Sequence, residues 1–392
     1  MKKWMWIWMM GLLCQSCNPN QPTERMDMKI TWDTLGIIPP ATGQKIQPGL
    51  AGPVAGVYQN HLLIAGGTNF EDAMPWQGGI KLYHDDCYIL TKRAGTQLEW
   101  SQPEWKLPSP MAYCACISTG KGILSIGGET AEGPVSLTFM LSVEGDAVRL
   151  IDFPDLPVAL SCSGAAISGS RVYLAGGLGF SGATNHFLSI DLSATDLKWQ
   201  TLPELPVPLS HAVVACQFDG NEDCIYVLGG RNKTGITSTF LSDIWKYIPS
   251  EQKWLKAGTL QVDDEPAFGL SAGTGLAAGE HGILLFGGDK GVIFNQTERL
   301  IDAAAKAESP DERERIQRQK AHNLTNHPGF SKDVYLFNTL TGKLIRISRL
   351  EGMAQVTTNA FWWDRQIIIP CGEIRPGVRS AVITRGKISL DE

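Results

Sequence analysis

Val172-Tyr173-Leu174-Ala175-Gly176-Gly177 is an apolar run closed by two glycines, and the chain repeats this pattern four more times. The others are Leu62–Gly67, Ile123–Gly128, Ile225–Gly230 and Ile283–Gly288, so successive glycine pairs lie 61, 49, 53 and 58 residues apart. A run this rich in Val, Ile and Leu predicts a strand buried on both faces. The glycines after it let the backbone turn sharply and approach a central axis with no Cβ in the way. A polar loop follows each pair, then a strand of alternating aromatic and aliphatic residues, clearest in Asp243–Tyr247 and Asp333–Phe337. Tryptophan and Leu-Pro punctuation close the units: Trp105 before Leu107–Pro108, Trp199 before Leu202–Pro203, and Trp254. Self-similarity at about 50 residues marks repeated sheets, not two or three unrelated domains.

The sixth unit is split. Gln366–Ile369 leads into Pro370-Cys371-Gly372-Glu373 in place of Gly-Gly, Arg379–Thr384 supplies the third strand, and no terminal Trp strand follows. At the other end of the chain, Ile30-Thr31-Trp32-Asp33-Thr34-Leu35, with Pro39–Pro40 behind it, repeats the form of Lys198–Leu202 and its proline. Residues 28–36 are therefore expected to form the outer strand of the sixth blade, closing the ring so that no sheet edge stays open. These features resemble the Kelch repeat. The predicted fold is an all-β, six-bladed Kelch-type β-propeller over residues 28–392, closed by an N-terminal strand.

One insertion interrupts the fifth blade, and a helical segment is expected over residues 297–330. Ser309-Pro310-Asp311-Glu312 reads as a capping box with proline at the first helical position. Charges alternate through Glu312–Arg318, and Asn323 or Gly329 is expected to end the helix. Two roles stay open: a solvated surface helix, or part of a lid, because the insertion follows an inner-strand loop.

The first residues read as a targeting signal over 1–17. Lys2 and Lys3 precede the apolar stretch Trp4–Leu13, which is too short to span a bilayer but suits a secretory core. Ser16–Cys17 then offers a small residue before a cysteine, so lipidation at Cys17 is expected, with residues 18–27 as a polar tether. Cleavage elsewhere, or an uncleaved anchor, are the alternatives. The expected location is the periplasm or outer membrane, with membrane contact through the lipid alone. The formal net charge is −6 and no sustained basic tract appears, which disfavours nucleic acid as a partner. Beyond Cys14 and Cys17, seven cysteines remain, an odd number without CxxC spacing, and they are expected to be buried thiols. A Cys216–Cys224 bridge across the turn at Asp219–Gly220 stays open.

In a propeller the loops after each second strand gather around the axis. Here they begin with Thr68-Asn69-Phe70, Glu129-Thr130, Leu178-Gly179-Phe180, Arg231-Asn232, Asp289-Lys290 and Glu373. The richest segment is Gly372-Glu373-Ile374-Arg375-Pro376-Gly377-Val378-Arg379, where Pro376–Gly377 suits a tight turn and sets Glu373 opposite Arg379. A carboxylate and guanidinium so placed could act on an anionic sugar, or simply staple the last blade as an ion pair. Both readings stand on spacing alone.

That segment resembles the Gly-Glu-x-(Lys/Arg)-Pro-Gly-x-Arg signature of the Kelch-type N-acetylneuraminate epimerases, the sialic acid mutarotases. Gly127-Gly128-Glu129-Thr130-Ala131, Ile293-Phe294-Asn295, and the stretch from Gly229–Gly230 through Asp243–Tyr247 are similar to the same family. The unit near Cys162 stands third here, so the resemblance is to a circularly permuted member. It implies a cofactor-free enzyme that interconverts the anomers of sialic acid in support of its uptake or catabolism. Glu373 would be the proton carrier and Arg379 the group holding the substrate carboxylate. Glu129, Asn295, Asn69 and Arg231 would orient the remaining substrate groups. Phe70 and Phe180 could stack on the sugar or serve packing.

Other chemistries find less support. The seven histidines show neither His-x₃-His nor His-Glu-x-x-His spacing, so no metal site is expected. No nucleophile elbow or phosphate loop is present. The principal alternative is a Kelch module that binds a glycan or protein without catalysis. A glycosidase would need two carboxylates roughly 5–10 Å apart, for which Glu129 and Glu373 are the candidates.

Overall fold

The computed structural model describes residues 28–70, 72–93, 97–145 and 147–390. The expected signal, Cys17 and the tether lie outside them. The described chain forms six four-stranded antiparallel sheets arranged as blades around one axis. The first blade runs outward through Val54–Tyr58, His61–Ala65, Cys87–Lys92 and Leu98–Ser101. The next four begin, innermost, at Ala115–Thr119, Gly164–Ser168, Val213–Phe218 and Thr274–Ala278. Aromatic side chains fill the seams between blades, such as Phe187 against Tyr247 at 4.8 Å and Tyr226 against Phe337 at 6.0 Å between ring centroids.

The double glycines are explained by their dihedrals. Gly66, Gly127, Gly176, Gly229 and Gly287 have φ of 64°, 60°, 62°, 66° and 67°, and each following glycine is also positive. Two consecutive left-handed residues suit glycine and few others. In the sixth blade Cys371 takes the first place at φ 44° and Gly372 the second at φ 110°. The turn is thus conserved in geometry where its sequence differs.

A second set of left-handed residues forms the hub. Gly52, Tyr113, Cys162, His211, Ala272 and Thr357, one per blade, have φ between 51° and 62°. Each donates its backbone N–H to the carbonyl of its counterpart in the neighbouring blade, at 2.6–2.9 Å, and the six bonds close a circle. Five of these residues carry a side chain in a conformation that costs about 1–3 kcal/mol, and the closed ring of bonds holds them there.

The sixth blade joins the chain ends. Phe361–Trp363, Gln366–Arg375 and Val378–Leu390 are completed on the outside by Met28–Ile37, paired antiparallel from Met28↔Leu390 to Ile37↔Val382 with a bulge between Thr34 and Gly36. Asp33 fastens this strand: both its oxygens accept from Arg385 at 2.7 Å, and Lys387 donates at 2.9 Å. The hydrogen bond from Arg385 is the main reason its pKa falls from 3.8 to about 2, against an opposing effect of burial. A folded-state pKa below the unfolded value stabilises the fold above pH 3.8 and loses that contribution as pH falls through about 2. Asp33→Asn should therefore cost about 1 kcal/mol at pH 7 and little near pH 2. Urea melts at the two pH values check this, and an equal difference at both would contradict it.

Two details differ from expectation. The outer strand of the first blade is Leu98–Ser101 with Trp100, while Trp105 sits in the loop beyond, so the Leu-Pro punctuation there trails the strand by several residues. The insertion begins earlier, as helix α1 (Val292–Lys306) followed by α2 (Pro310–Thr325). Ser309 Oγ caps α2 by accepting from Glu312 N, and the helix ends at Thr325 with Asn326 as its cap. Helix α1 starts without a side-chain cap on Gly291; instead Asp289 Oδ1 accepts from Gly291 N at 2.8 Å. α1 rests on the fourth-blade hairpin at Thr237–Phe240, and α2 reaches Pro75–Gln77 of the first blade. The seven described cysteines are free thiols whose pKa values burial pushes up. Cys216 lies opposite Ile225 and Cys224 opposite Gln217, so no bridge joins them.

Candidate active site

Each hub residue is preceded by one that bridges to the first residue after the blade's turn. The six bridges are Ala51↔Thr68, Ala112↔Glu129, Ser161↔Leu178, Ser210↔Arg231, Ser271↔Asp289 and Val356↔Glu373. Thr68, Glu129, Leu178, Arg231, Asp289 and Glu373 are therefore equivalent positions around the loop face of the hub. Four of the six are charged.

Glu373 and Arg379 are direct cross-strand partners. Glu373 Oε1 accepts from Arg379 Nη1 at 2.6 Å and from Gly377 N at 2.7 Å, and no described hydrogen bond falls on Oε2. The tight turn requires Gly377, at φ 77°, and a Cβ there would also strike Pro75 at 2.8 Å. Arg379 is the deeper partner, with its side chain 5% exposed against 19% for Glu373. Its guanidinium lies over Phe70, 5.1 Å from the ring centroid, and its Nε has no partner among the described residues.

Tyr113 lies beside this pair. Its ring packs onto Gly52, where an added Cβ would come within 2.4 Å, and its hydroxyl shares a 2.9 Å hydrogen bond with Thr68 Oγ1. Burial pushes its pKa up to about 12, with Arg379 and Glu373 acting on it in opposite directions. Glu129 is held by three donors: Lys81 at 2.7 Å and Tyr83 at 2.6 Å on Oε1, and Ser161 at 3.2 Å on Oε2.

Arg231 stands in a different environment. Its Nη2 approaches His211 Nε2 at 3.3 Å, and its guanidinium carbon lies 4.6 Å from the Phe294 ring centroid. Burial lowers its pKa. His211 is driven well below its ordinary value by burial and then by Arg231, so it is neutral at pH 7. Asp289 is raised by burial, and Arg231, His327 and Glu373 all act on it electrostatically. His327 is lowered by burial and feels both Asp289 and Glu373. The charged groups of blades four to six thus form one coupled set.

The remaining expected contacts fall outside that set. Asn69 is 2% exposed, with Nδ2 donating to Gly49 O at 3.3 Å and Oδ1 2.8 Å from His84 Nε2. Strand alternation turns the second residue after the glycines away from the axis, so Asn69 packs beneath the mouth instead of facing it. Asn295 sits on the first turn of α1 with Oδ1 accepting from Ser238 N at 3.1 Å, tying the insertion to blade four. Phe180 is 78% exposed. The sequence does not mark Tyr113, His211 or His327 as site residues, and it places Asp289 only among the loops that gather around the axis. Asp289 carried a signal, being the first residue after its glycine pair. Tyr113 and His211 carried none, because the hub exists only through bonds between blades.

A cavity of about 480 Å³ lies in the channel and is lined by the hub residues, Tyr113 and His211 among them, and by inner-strand residues such as Ile117, Val214, Leu276 and Phe361. Its wall is largely apolar, with hydroxyls at Ser118, Ser163, Thr274 and Thr358 among the lining groups, whereas the charged side chains gather at the loop-face mouth.

Comparison with known sequences places the chain. A sequence model described as N-acetylneuraminate epimerase matches residues 17–150 and 153–392. A relative from Salmonella typhi named N-acetylneuraminate epimerase is 28% identical over 262 residues, 65% of this chain and 62% of its own. Relatives of that name from Salmonella typhimurium and Haemophilus influenzae are 27% and 26% identical over 245 and 239 residues, covering 61% and 60% of this chain and 59% and 60% of theirs. The aligned region thus spans about three fifths of the length of these relatives. With nearly all of its propeller matched by the family's sequence model, the chain belongs to the N-acetylneuraminate epimerase family.

Proposed function

We propose that the protein is a mutarotase that interconverts the α and β anomers of N-acetylneuraminate by general acid–base catalysis, in support of sialic acid uptake or breakdown. The observation that carries this reading is the Glu373 carboxylate, fixed by two donors on Oε1 with Oε2 facing no described partner. In the reaction, Oε2 takes the proton of the anomeric hydroxyl as the bond from anomeric carbon to ring oxygen breaks. A ketone forms at the anomeric carbon, and the proton passes from Glu373 to the released oxygen. Rotation about the adjacent carbon–carbon bond presents the other carbonyl face, and the same steps run backwards. No atom or electron is gained or lost. Arg379 and Gly377 hold the carboxylate still, which is the geometric demand of such proton transfer.

Exchange spectroscopy on an equilibrated N-acetylneuraminate solution tests the reading. Catalytic protein should produce cross-peaks between the resonances of the two anomers within a mixing time that shows none without it. A binding module would leave the spectrum without cross-peaks.

Export with a lipid at Cys17 is part of the same proposal, from Lys2, Lys3, the apolar Trp4–Leu13 and Ser16–Cys17. Met28, the first described residue, pairs with Leu390 at the end of the sixth blade away from the Glu373 turn. Cys17→Ala should abolish labelling by radioactive palmitate and release the protein to the soluble fraction. Unchanged labelling would refute the anchor.

A further inference from the structure

At the mouth, Arg231 makes no direct ion pair among the described residues, whereas Arg379, Lys81 and Lys290 each do. Arg379 is engaged by Glu373 at 2.6 Å, Lys81 by Glu129 at 2.7 Å, and Lys290 by Asp333 at 3.4 Å. Arg231 has a ring beneath it and a neutral imidazole beside it, and no ion pair. Asp289, Glu373 and Glu298 favour its charge from a distance, but an enclosed cation with no direct partner is still costly, and an anion that binds it relieves that cost.

The surroundings of Arg231 are also built. A guanidinium can only donate, so His211 Nε2 must be the acceptor and Nδ1 must carry the proton. That proton points to Ser210 Oγ at 2.8 Å, and Ser210 Oγ in turn donates to the backbone carbonyl of Arg231 at 3.4 Å. The loop is closed on itself: the residue that orients the guanidinium is oriented from the same strand end. His211 is a hub residue at φ 57°, fixed by its N–H to Cys162 O and its carbonyl to Ala272 N, both at 2.9 Å. Phe294, from α1, packs its ring against the guanidinium, a group whose planar fork suits a carboxylate.

We propose that Arg231 is the anchor for the carboxylate of the acidic sugar, that His211 and Phe294 are its positioning residues, and that Arg379 serves Glu373. The identity of the sugar rests on the mutarotase reading, whereas the anion site rests on Arg231 and its neighbours. The sialic acid carboxylate is attached to the anomeric carbon itself. Anchoring it on blade four therefore carries the reacting carbon to the centre of the mouth, towards Glu373 two blades away. It also explains why the insertion starts where it does: α1 brings Phe294 under Arg231, while Asn295 and Glu298 of the same helix bind Ser238 N at 3.1 and 2.6 Å.

The test is calorimetric binding of N-acetylneuraminate and of its carboxyl methyl ester to wild type, Arg231→Gln and Arg379→Lys. Wild type should prefer the acid by about 10–100-fold, the range of a charge-assisted pair. Arg231→Gln should lose that preference with ester affinity unchanged, and Arg379→Lys should keep it while losing anomer exchange. Retention of the preference by Arg231→Gln, equal weakening towards both ligands, or a wild type blind to the carboxylate would overturn the proposal. If Arg231→Gln does not fold, Arg231→Lys serves: the charge without the fork should reduce the preference several-fold, and an unchanged ratio refutes the anchor. A wild type that prefers the acid through Arg231 yet accelerates nothing supports the anchor and removes the mutarotase reading.

Discussion

Glu373→Gln is expected to lower the rate of anomer exchange by about 10²–10⁴-fold, the usual contribution of a positioned acid–base group, while binding and melting temperature stay near wild type. The substitution keeps size and shape. Its amide oxygen can still accept from Gly377 N and Arg379 Nη1, the two bonds that hold the turn. What disappears is an oxygen able to take up a proton. Two outcomes would speak for the other role of this pair. Loss of folding would mean that the ion pair staples the last blade, and unimpaired exchange would mean that another group moves the proton. The combination of intact binding and lost exchange is peculiar to a catalytic carboxylate.

The second large effect concerns closure of the ring. Trp32→Ala should destabilise the fold by about 3–5 kcal/mol, as expected for removing a buried Trp, lowering the melting temperature by roughly 5–10 °C. Trp32 is 6% exposed, meets Phe286 of the fifth blade edge-on at 5.8 Å, and donates from Nε1 to Ser348 Oγ at 3.4 Å. Its six-membered ring occupies the space over Gly386, where a Cβ would come within 2.7 Å. One side chain on the closing strand thus joins the sixth blade to the fifth. Without it, the strand keeps its ladder to Val378–Leu390 but loses its grip on the neighbour, and that edge becomes a template for association. A variant that melts within a degree of wild type would show that other contacts close the ring.

The legible and illegible parts of this molecule divide along a physical line. The glycine pairs could be read because each answers a local demand, two successive left-handed residues, and only glycine meets it cheaply. Cys371–Gly372 was recognisable by its place in the repeat despite the cysteine. The closing strand was visible for a similar reason: Trp32 and the prolines behind it repeat the outer-strand pattern found at Trp199. Helix α1 was hidden because its cap is not a side chain at the N-cap position but Asp289 acting on Gly291 N. Trp105 misled because a tryptophan beside Leu-Pro marks the end of a blade only loosely; the ladder itself stops at Ser101.

At the site, the same division holds. Glu373 and Arg379 belong to one hairpin, so a turn between them sets their facing positions. Glu129, Arg231 and Asp289 follow their glycines and inherit the axis from the repeat. Asn69 shared that loop but not its direction, one residue further along an alternating strand. Tyr113 and His211 owe their positions to hydrogen bonds around the hub, between residues tens of positions apart. No local pattern announces them.

The most direct test of the whole account follows α-N-acetylneuraminate, freshly released from a glycoside, by one-dimensional proton NMR with no protein, with wild type and with Glu373→Gln. Wild type should bring the α signal to its equilibrium share much faster than buffer alone, and Glu373→Gln should run close to buffer. Identical decay in all three samples would contradict the account.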